Sequence, residues 1–113
     1  MKTVYIIGPF RNDPELNVLK FEKANLVLWR HGFFGFNPVA NCYPMGGKFT
    51  EDEFARRDVE ALKKLRFDAV FALDGWKGSK GAMQEFTAAQ EVGIPVFESL
   101  EALCQWRDES EHG

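Results

Sequence analysis

Histidine and cysteine are scarce in this chain, with two of each, and the scarcity narrows the chemistry at once. Cys42 and Cys104 stand far apart with no second thiol or histidine at metal-ligand spacing near either, so they read as free reduced thiols and no metal site is expected. His31 lies next to Gly32 at a helix end and His112 lies in a polar tail, which leaves no histidine placed as a base. Positive charge is not in excess either: 14 Lys and Arg face 17 Asp and Glu for a net charge of -3. That balance argues against a nucleic-acid polymer, whose binding leans on a basic surface, but leaves room for a single nucleotide that needs one or two local donors. No apolar run approaches the roughly 18 residues of a membrane span. The opening Met1-Lys2-Thr3 runs straight into Val4-Tyr5-Ile6-Ile7 and stops at Gly8-Pro9, too short and too early a stop for a signal peptide. A cytoplasmic setting without a membrane partner is expected, and no cofactor is called for.

What is present is an ordinary globular balance, 45% apolar and 27% charged, in a chain long enough for one domain and too short for two. Thr3 to Ile7 reads as a strand, and Pro14 then suits the first turn of a helix that His31-Gly32 ends. Phe33 to Phe36 reads as a second strand closed by Asn37-Pro38. The segment from Asn37 to Phe49, with two prolines and two glycines, is expected to be a long loop of the kind that has a job. Thr50-Glu51-Asp52-Glu53 has the form of a capping box for a helix to about Leu65. A strand at Phe67 to Leu73, a helix at Lys80 to Val92, a strand at Ile94 to Phe97 and a helix from Ser99 to about Arg107 follow. Continuous apolar strands alternating with helices predict a parallel sheet covered on both faces. The fold class is therefore α/β, a flavodoxin/Rossmann-like three-layer sandwich of about four strands, with residues 1–107 as the single domain and 108–113 as a frayed polar tail. Ligands are expected at the carboxyl ends of the strands.

The run from Val70 through Gly75-Trp76-Lys77-Gly78-Ser79-Lys80-Gly81-Ala82 to Glu85 joins a buried strand, a glycine-rich turn with one hydroxyl, and a helix that presents a carboxylate near its start. Free N–H groups and the positive dipole end at such a helix N-terminus suit a phosphate, and Glu85 sits a ligand's length away. That outlines a sugar-phosphate site. Asp58 shares a stripe with Phe54, Ala61, Leu62 and Leu65, a position the pattern otherwise gives to the core. On pattern alone Asp58 also fits an edge position paired with Arg56 or Arg57, and Glu85 a solvated helix face. As a pair on neighbouring helices, the two carboxylates fit the acid and nucleophile of glycosidic chemistry. Ser79 fits an ordinary N-cap, a role compatible with phosphate binding. The spacing of Gly75, Gly78 and Gly81 permits close backbone approach, Gly8 begins one of the strand ends where a ligand is expected, and Tyr5, Phe10, Arg11 and Trp76 bring aromatic faces and a guanidinium near those ends. For Tyr5 core filling is the alternative, and for the other three exposed loop positions.

These pieces together resemble the nucleoside 2-deoxyribosyltransferase-like superfamily, closest to its short bacterial and phage members and related to the nucleoside 5'-monophosphate N-glycosidases. The likeness runs from Val4 to Phe97. It rests on Tyr5-Ile6-Ile7-Gly8-Pro9-Phe10-Arg11, Phe21 with Ala24 and Leu28 leading to Gly32, Asn37-Pro38, Arg57-Asp58 with Leu62, and Asp68-Ala69-Val70 followed by Gly75-Trp76, Ser79-Lys80-Gly81-Ala82 and Glu85. The resemblance implies that Glu85 attacks the anomeric carbon, that Asp58 helps the base depart, that Ser79 holds a 5'-phosphate, and that Tyr5 and Arg11 line the sugar and phosphate. It implies an N-glycosidase or deoxyribosyltransferase acting on a (2'-deoxy)nucleoside 5'-monophosphate, in a homodimer or larger assembly. A non-catalytic nucleotide-binding module and a glycohydrolase of an NAD-type nucleotide are the alternatives. Pro9 departs from relatives that carry a phosphate-contacting serine there.

Overall fold

Strand β1 (Thr3–Ile7) has Val4, Tyr5, Ile6 and Ile7 fully buried, and only a strand paired on both sides and covered on both faces hides every side chain this way. The computed structural model describes residues 1–112. In it β1 pairs in parallel with β2 (Phe34–Phe36) on one side and with β3 (Ala69–Ala72) on the other, and β3 pairs with β4 (Val96–Phe97), giving the all-parallel order β2-β1-β3-β4. Val4 stands opposite Gly35 and Ala69, which fixes the register. Period-two alternation sorts β1 between two cores. Val4 and Ile6 join Phe21 and Leu28 of α1 (Pro14–Arg30) and Leu103 of α5 (Leu100–His112). Tyr5 and Ile7 join Leu62 of α3 (Glu51–Leu65) with Ala82, Ala88 and Ala89 of α4 (Lys80–Glu91). The chain is thus an α/β three-layer sandwich of flavodoxin/Rossmann-like order.

Local chemistry sets the helix ends. Asp13 caps α1 ahead of Pro14, Thr50 and Glu53 close the capping box of α3, and Ser79 caps α4. Ser99 Oγ accepts from Ala102 N at 3.1 Å at the start of α5.

Three expectations are corrected. The segment from Asn37 to Phe49 is not an irregular loop: it holds α2 (Pro38–Cys42) and a 3-10 turn at Tyr43–Met45. Asn37-Pro38 ends the strand, and it also starts this helix, for Asn37 Oδ1 accepts from Ala40 N at 3.1 Å and Pro38 occupies the first turn. The supposed tail at 108–113 is helical as far as His112, Gly113 lying outside the described residues. Its last turn is held by Ser110 Oγ donating to Trp106 O at 2.8 Å and Gln105 Nε2 donating to Glu109 at 3.1 Å. Leu65, placed by pattern on the buried stripe of α3, is 64% exposed because it falls in the final turn, beyond the sheet.

Gly35 marks the tightest contact between β2 and α1: a Cβ built there collides with Asn25 Oδ1 and lies 3.1 Å from Leu28 Cδ1. Gly35→Ala is expected to lower stability by about 1–3 kcal/mol through overpacking. Adding Asn25→Ala to that variant is expected to recover part of the loss. Urea unfolding of the two single variants and the double variant checks this, and additive losses would refute the contact.

Candidate active site

The site forms where β1 and β3 end. The chain leaves β1 at Gly8, where a Cβ would lie 3.0 Å from Leu73 Cβ, so only glycine lets the two strand ends close on each other. Leu73 N continues the ladder to Ile7 O at 2.9 Å. Gly75, at a φ of +86° that glycine alone adopts freely, then turns the second loop past Pro9. On the other side, buried Asn17 of α1 donates through Nδ2 to Phe10 O at 3.0 Å and to Asn12 Oδ1 at 2.6 Å. Both loops are therefore fixed. They diverge above the sheet because α1 packs on one face and α4 on the other, and a cavity of about 680 Å³ opens between them.

The cavity collects most of the side chains picked out from the sequence. Gly8, Phe10, Arg11, Asp58, Ser79, Gly81 and Glu85 line it. Ser79 Oγ accepts from Ala82 N at 3.2 Å, so the cap is real. Of the first four N–H groups of α4, Ala82 N is taken by Ser79 Oγ and Met83 N by Ser79 O, while Lys80 and Gly81, whose N–H groups the helix cannot satisfy, line the same space. A Cβ at Gly81 or Gly78 would meet nothing within 4 Å, so the backbone here is open to a ligand. Arg11 Nη1 pairs with Glu51 Oε2 at 2.7 Å across the rim. The opposite wall is aromatic, with Phe10 edge-on to Tyr43 and Phe49 edge-on to Phe54.

Asp58 and Glu85 enter from neighbouring helices. Although Glu85 as a whole keeps some exposure, its Oε2 is buried without a partner. Burial pushes its carboxyl up to about 8, the facing Tyr5 phenol pulling it down and the Asp58 charge pushing it further up. Asp58, half-buried, is pushed up to about 6 by burial, against a lowering from Cys42. Its contact is with the Cys42 thiol, Sγ lying 3.6 Å from Oδ1 and 3.8 Å from Oδ2, and among the described residues it forms no ion pair with Arg56 or Arg57. Arg57 instead lies over the Phe49 ring.

Tyr5 is fully buried in the core, in tilted and edge contacts with Phe36 and Phe67, yet its Oη is aimed at the carboxylates and lacks a partner. Burial, then the negative charge of Glu85 and of Asp58, hold its phenol well above the ordinary range, so it stays a neutral donor. Trp76, like Tyr5, is not among the residues that line the cavity. It is buried on Phe86 with Nε1 donating to Glu98 Oε1 at 2.9 Å, away from the cavity. The reason is the 3-10 turn at Trp76–Gly78, which folds the indole under α4 instead of over the opening. Sequence reasoning missed Cys42, Asn17 and Glu51. The Asn37-Pro38 start signal, which puts Cys42 at the end of a one-turn helix, was the clue to the first.

These features define an α/β protein with a pocket at the sheet's switch point, acidic in the middle, capped by a helix N-terminus at one end and aromatic along one wall. Residues 2–98 match the family described as "Domain of unknown function (DUF4406)", and the chain belongs to that family. No curated protein matches the chain. Among the described residues no three His, Cys, Asp or Glu side chains are arranged as metal ligands, and no helix is long and apolar enough to cross a membrane.

Glu85 has a consequence for stability. Below its ordinary value near 4.5 the carboxyl is protonated in both the folded and unfolded chain. Between there and about 8 the folded protein keeps a proton that the unfolded chain releases, so stability falls as pH rises, until the full cost is reached above 8. Glu85→Gln removes this titration, and its stability advantage is expected to grow from near zero at pH 4 to on the order of 2–4 kcal/mol at pH 8.5. Denaturant unfolding across that range checks it, and a constant difference would mean the carboxyl is solvated.

Proposed function

We propose that the protein cleaves the N-glycosidic bond of a (2'-deoxy)nucleoside 5'-monophosphate, as a hydrolase or as a pentosyltransferase of the nucleoside 2-deoxyribosyltransferase-like kind, with Glu85 as nucleophile and Asp58 as general acid. The carrying observation is the pair of carboxyls with raised pKa that share one cavity with the open N-terminus of α4. A phosphate at Ser79 and Gly81 sets the sugar between that helix end and Glu85. An ionised Glu85 oxygen forms a bond to C1' as the C1'–N bond breaks, and the proton on Asp58 passes to the departing base nitrogen. Water or an acceptor base then gives its proton to Asp58 and displaces Glu85 from C1'. The aromatic wall of Phe10, Tyr43, Phe49 and Phe54 offers the base a stacking surface.

In the empty cavity the proton rests more on Glu85 than on Asp58. Positive charge developing on the sugar reverses that preference, because a nearby cation favours the ionised nucleophile. Below about 6 both groups are protonated and there is no nucleophile; above about 8 both are ionised and there is no acid. The kcat/KM for base release is therefore expected to be a bell with limbs near those values, which belong to the pair rather than to either residue. With a leaving group that needs no proton, Asp58→Asn is expected to erase the alkaline limb and leave activity that rises with pH. Glu85→Gln is expected to lower base release by several orders of magnitude. Chromatography for released base across a nucleotide panel decides: binding without release favours a regulatory module, and nicotinamide release from NAD favours a dinucleotide substrate.

For the ligand's charged end, a 5'-monophosphate is expected to bind at least about tenfold tighter than its nucleoside, roughly 1.4 kcal/mol. Ser79→Ala should shrink that gap through the monophosphate alone. Calorimetry on the four combinations tests it, and equal affinities in the native protein would exclude the phosphate reading. A homodimer or larger assembly is part of the same proposal, supported by Leu19, Leu26 and Trp29, which are half or more exposed on one face of α1. A clean monomer mass in light scattering would reject it.

A further inference from the structure

Three titratable groups from three elements line the cavity, Cys42 of α2, Asp58 of α3 and Glu85 of α4, and the buried phenol of Tyr5 of β1 faces Glu85. The glycosidase reading uses Asp58 and Glu85 and leaves the thiol without a task. Yet Cys42 lines the cavity with Sγ poised between both Asp58 oxygens, at 3.6 and 3.8 Å, and the same cavity holds Glu85, whose buried Oε2 has no partner among the described residues.

We propose that Cys42 is a positioning residue: its S–H donates to the Asp58 carboxylate, aims that carboxyl into the cavity, and keeps it the readier of the two acids to ionise, so that Asp58 and Glu85 hold different protonation states. The geometry sets the task. Among the described residues Asp58 carries no ion pair, its helix neighbour Arg57 is turned onto Phe49, and Arg11 is engaged by Glu51. The thiol is thus the donor that the fold supplies. Burial and the Asp58 charge hold the thiol up at about 12, so at neutral pH it is a protonated donor and not a nucleophile. A hydrogen bond to the ionised form lowers a carboxyl's pKa, and losing it raises that pKa. The other groups facing Asp58 are Glu85 and Tyr5, with Arg11, Lys80 and Glu51 around the cavity. All of these residues are kept when Cys42 alone is changed.

The inference rests on the glycosidase reading only for its kinetic consequence, and the test separates the two. Carbon-13 NMR of aspartate-labelled protein follows the Asp58 carboxyl directly, assigned by its loss in Asp58→Asn. Cys42→Ala is expected to raise the Asp58 midpoint by about half a pH unit or more, and Cys42→Ser, which keeps a donor, to return it most of the way. Circular dichroism confirms the fold in each variant. If base release is observed, its acid limb should move with the midpoint in Cys42→Ala, with kcat falling about three- to tenfold while KM changes little. An Asp58 midpoint that is the same in native protein and Cys42→Ala, or serine behaving as alanine does, overturns the proposal. A shifted midpoint in a protein that releases no base supports it while removing the enzymatic reading.

Discussion

Everything in the molecule is arranged around a strand that has no free edge and no free face. β1 is paired on both sides, and its side chains divide between two cores. A polar atom on such a strand must either find a partner or reach an opening. Tyr5 keeps its Oη buried, facing the Glu85 carboxyl. Its ring fills the α3 and α4 side of the core against Phe36 and Phe67, and its buried hydroxyl is turned toward Glu85 and Asp58. Core and site are therefore continuous through one side chain. The same strand end carries Gly8, whose missing side chain lets Leu73 close in and brings the two loops to the same place.

The second constraint is electrostatic. Two carboxyls in a partly dry cavity repel one another and each resists ionisation, which opposes stability in the empty protein. A fold that needed only a core at these positions would carry apolar side chains there, as it does one turn along each helix at Leu62 and Ala89. Local rules broken together in one cavity are the mark of a site. Around the carboxyls the remaining charge is arranged in rings: Arg11 against Glu51 at the rim, Lys80 with the α4 N-terminus at one end, and the neutral donors Tyr5 and Cys42 at the floor and side. An anionic group at the helix end and an electron-poor sugar over Glu85 would each meet the charge they lack.

Sequence pattern carried the strands and the long helices because burial on both faces leaves unbroken apolar runs, and because Asp13-Pro14, the Thr50 box and Ser79 each mark a helix start by a local hydrogen bond. It carried Glu85 and Asp58 for a related reason: a carboxylate on an apolar stripe is anomalous wherever the stripe is buried. It did not carry α2, since five residues are too few for a period to appear, and Asn37-Pro38 stops a strand by the same chemistry that starts a helix. Without α2 there was no means of setting Cys42 beside Asp58. Trp76 failed differently. An aromatic in a glycine-rich turn reads as exposed, and only the turn's 3-10 winding, a matter of Gly75 adopting a left-handed backbone, decides that it goes under the helix to Phe86 and Glu98.

The placement of α2 also explains why one wall of the cavity is apolar while the floor is acidic. From Asn37 to Phe49 the chain leaves the edge strand β2, not a central one, so it has no sheet neighbour to lie on and packs its aromatics on whatever is near. Tyr43 meets Phe10 from the β1 loop, and Phe49 meets Phe54 on α3. These edge contacts bridge the two sides of the opening through side chains alone. A bound flat ring would exchange aromatic contacts for aromatic contacts of its own, with little net loss of apolar burial. A phosphate has no such option and needs the fixed backbone of α4. On the proposed reading the adaptable wall would take the base and the rigid helix end the phosphate, and the bond joining them would then lie over Asp58 and Glu85.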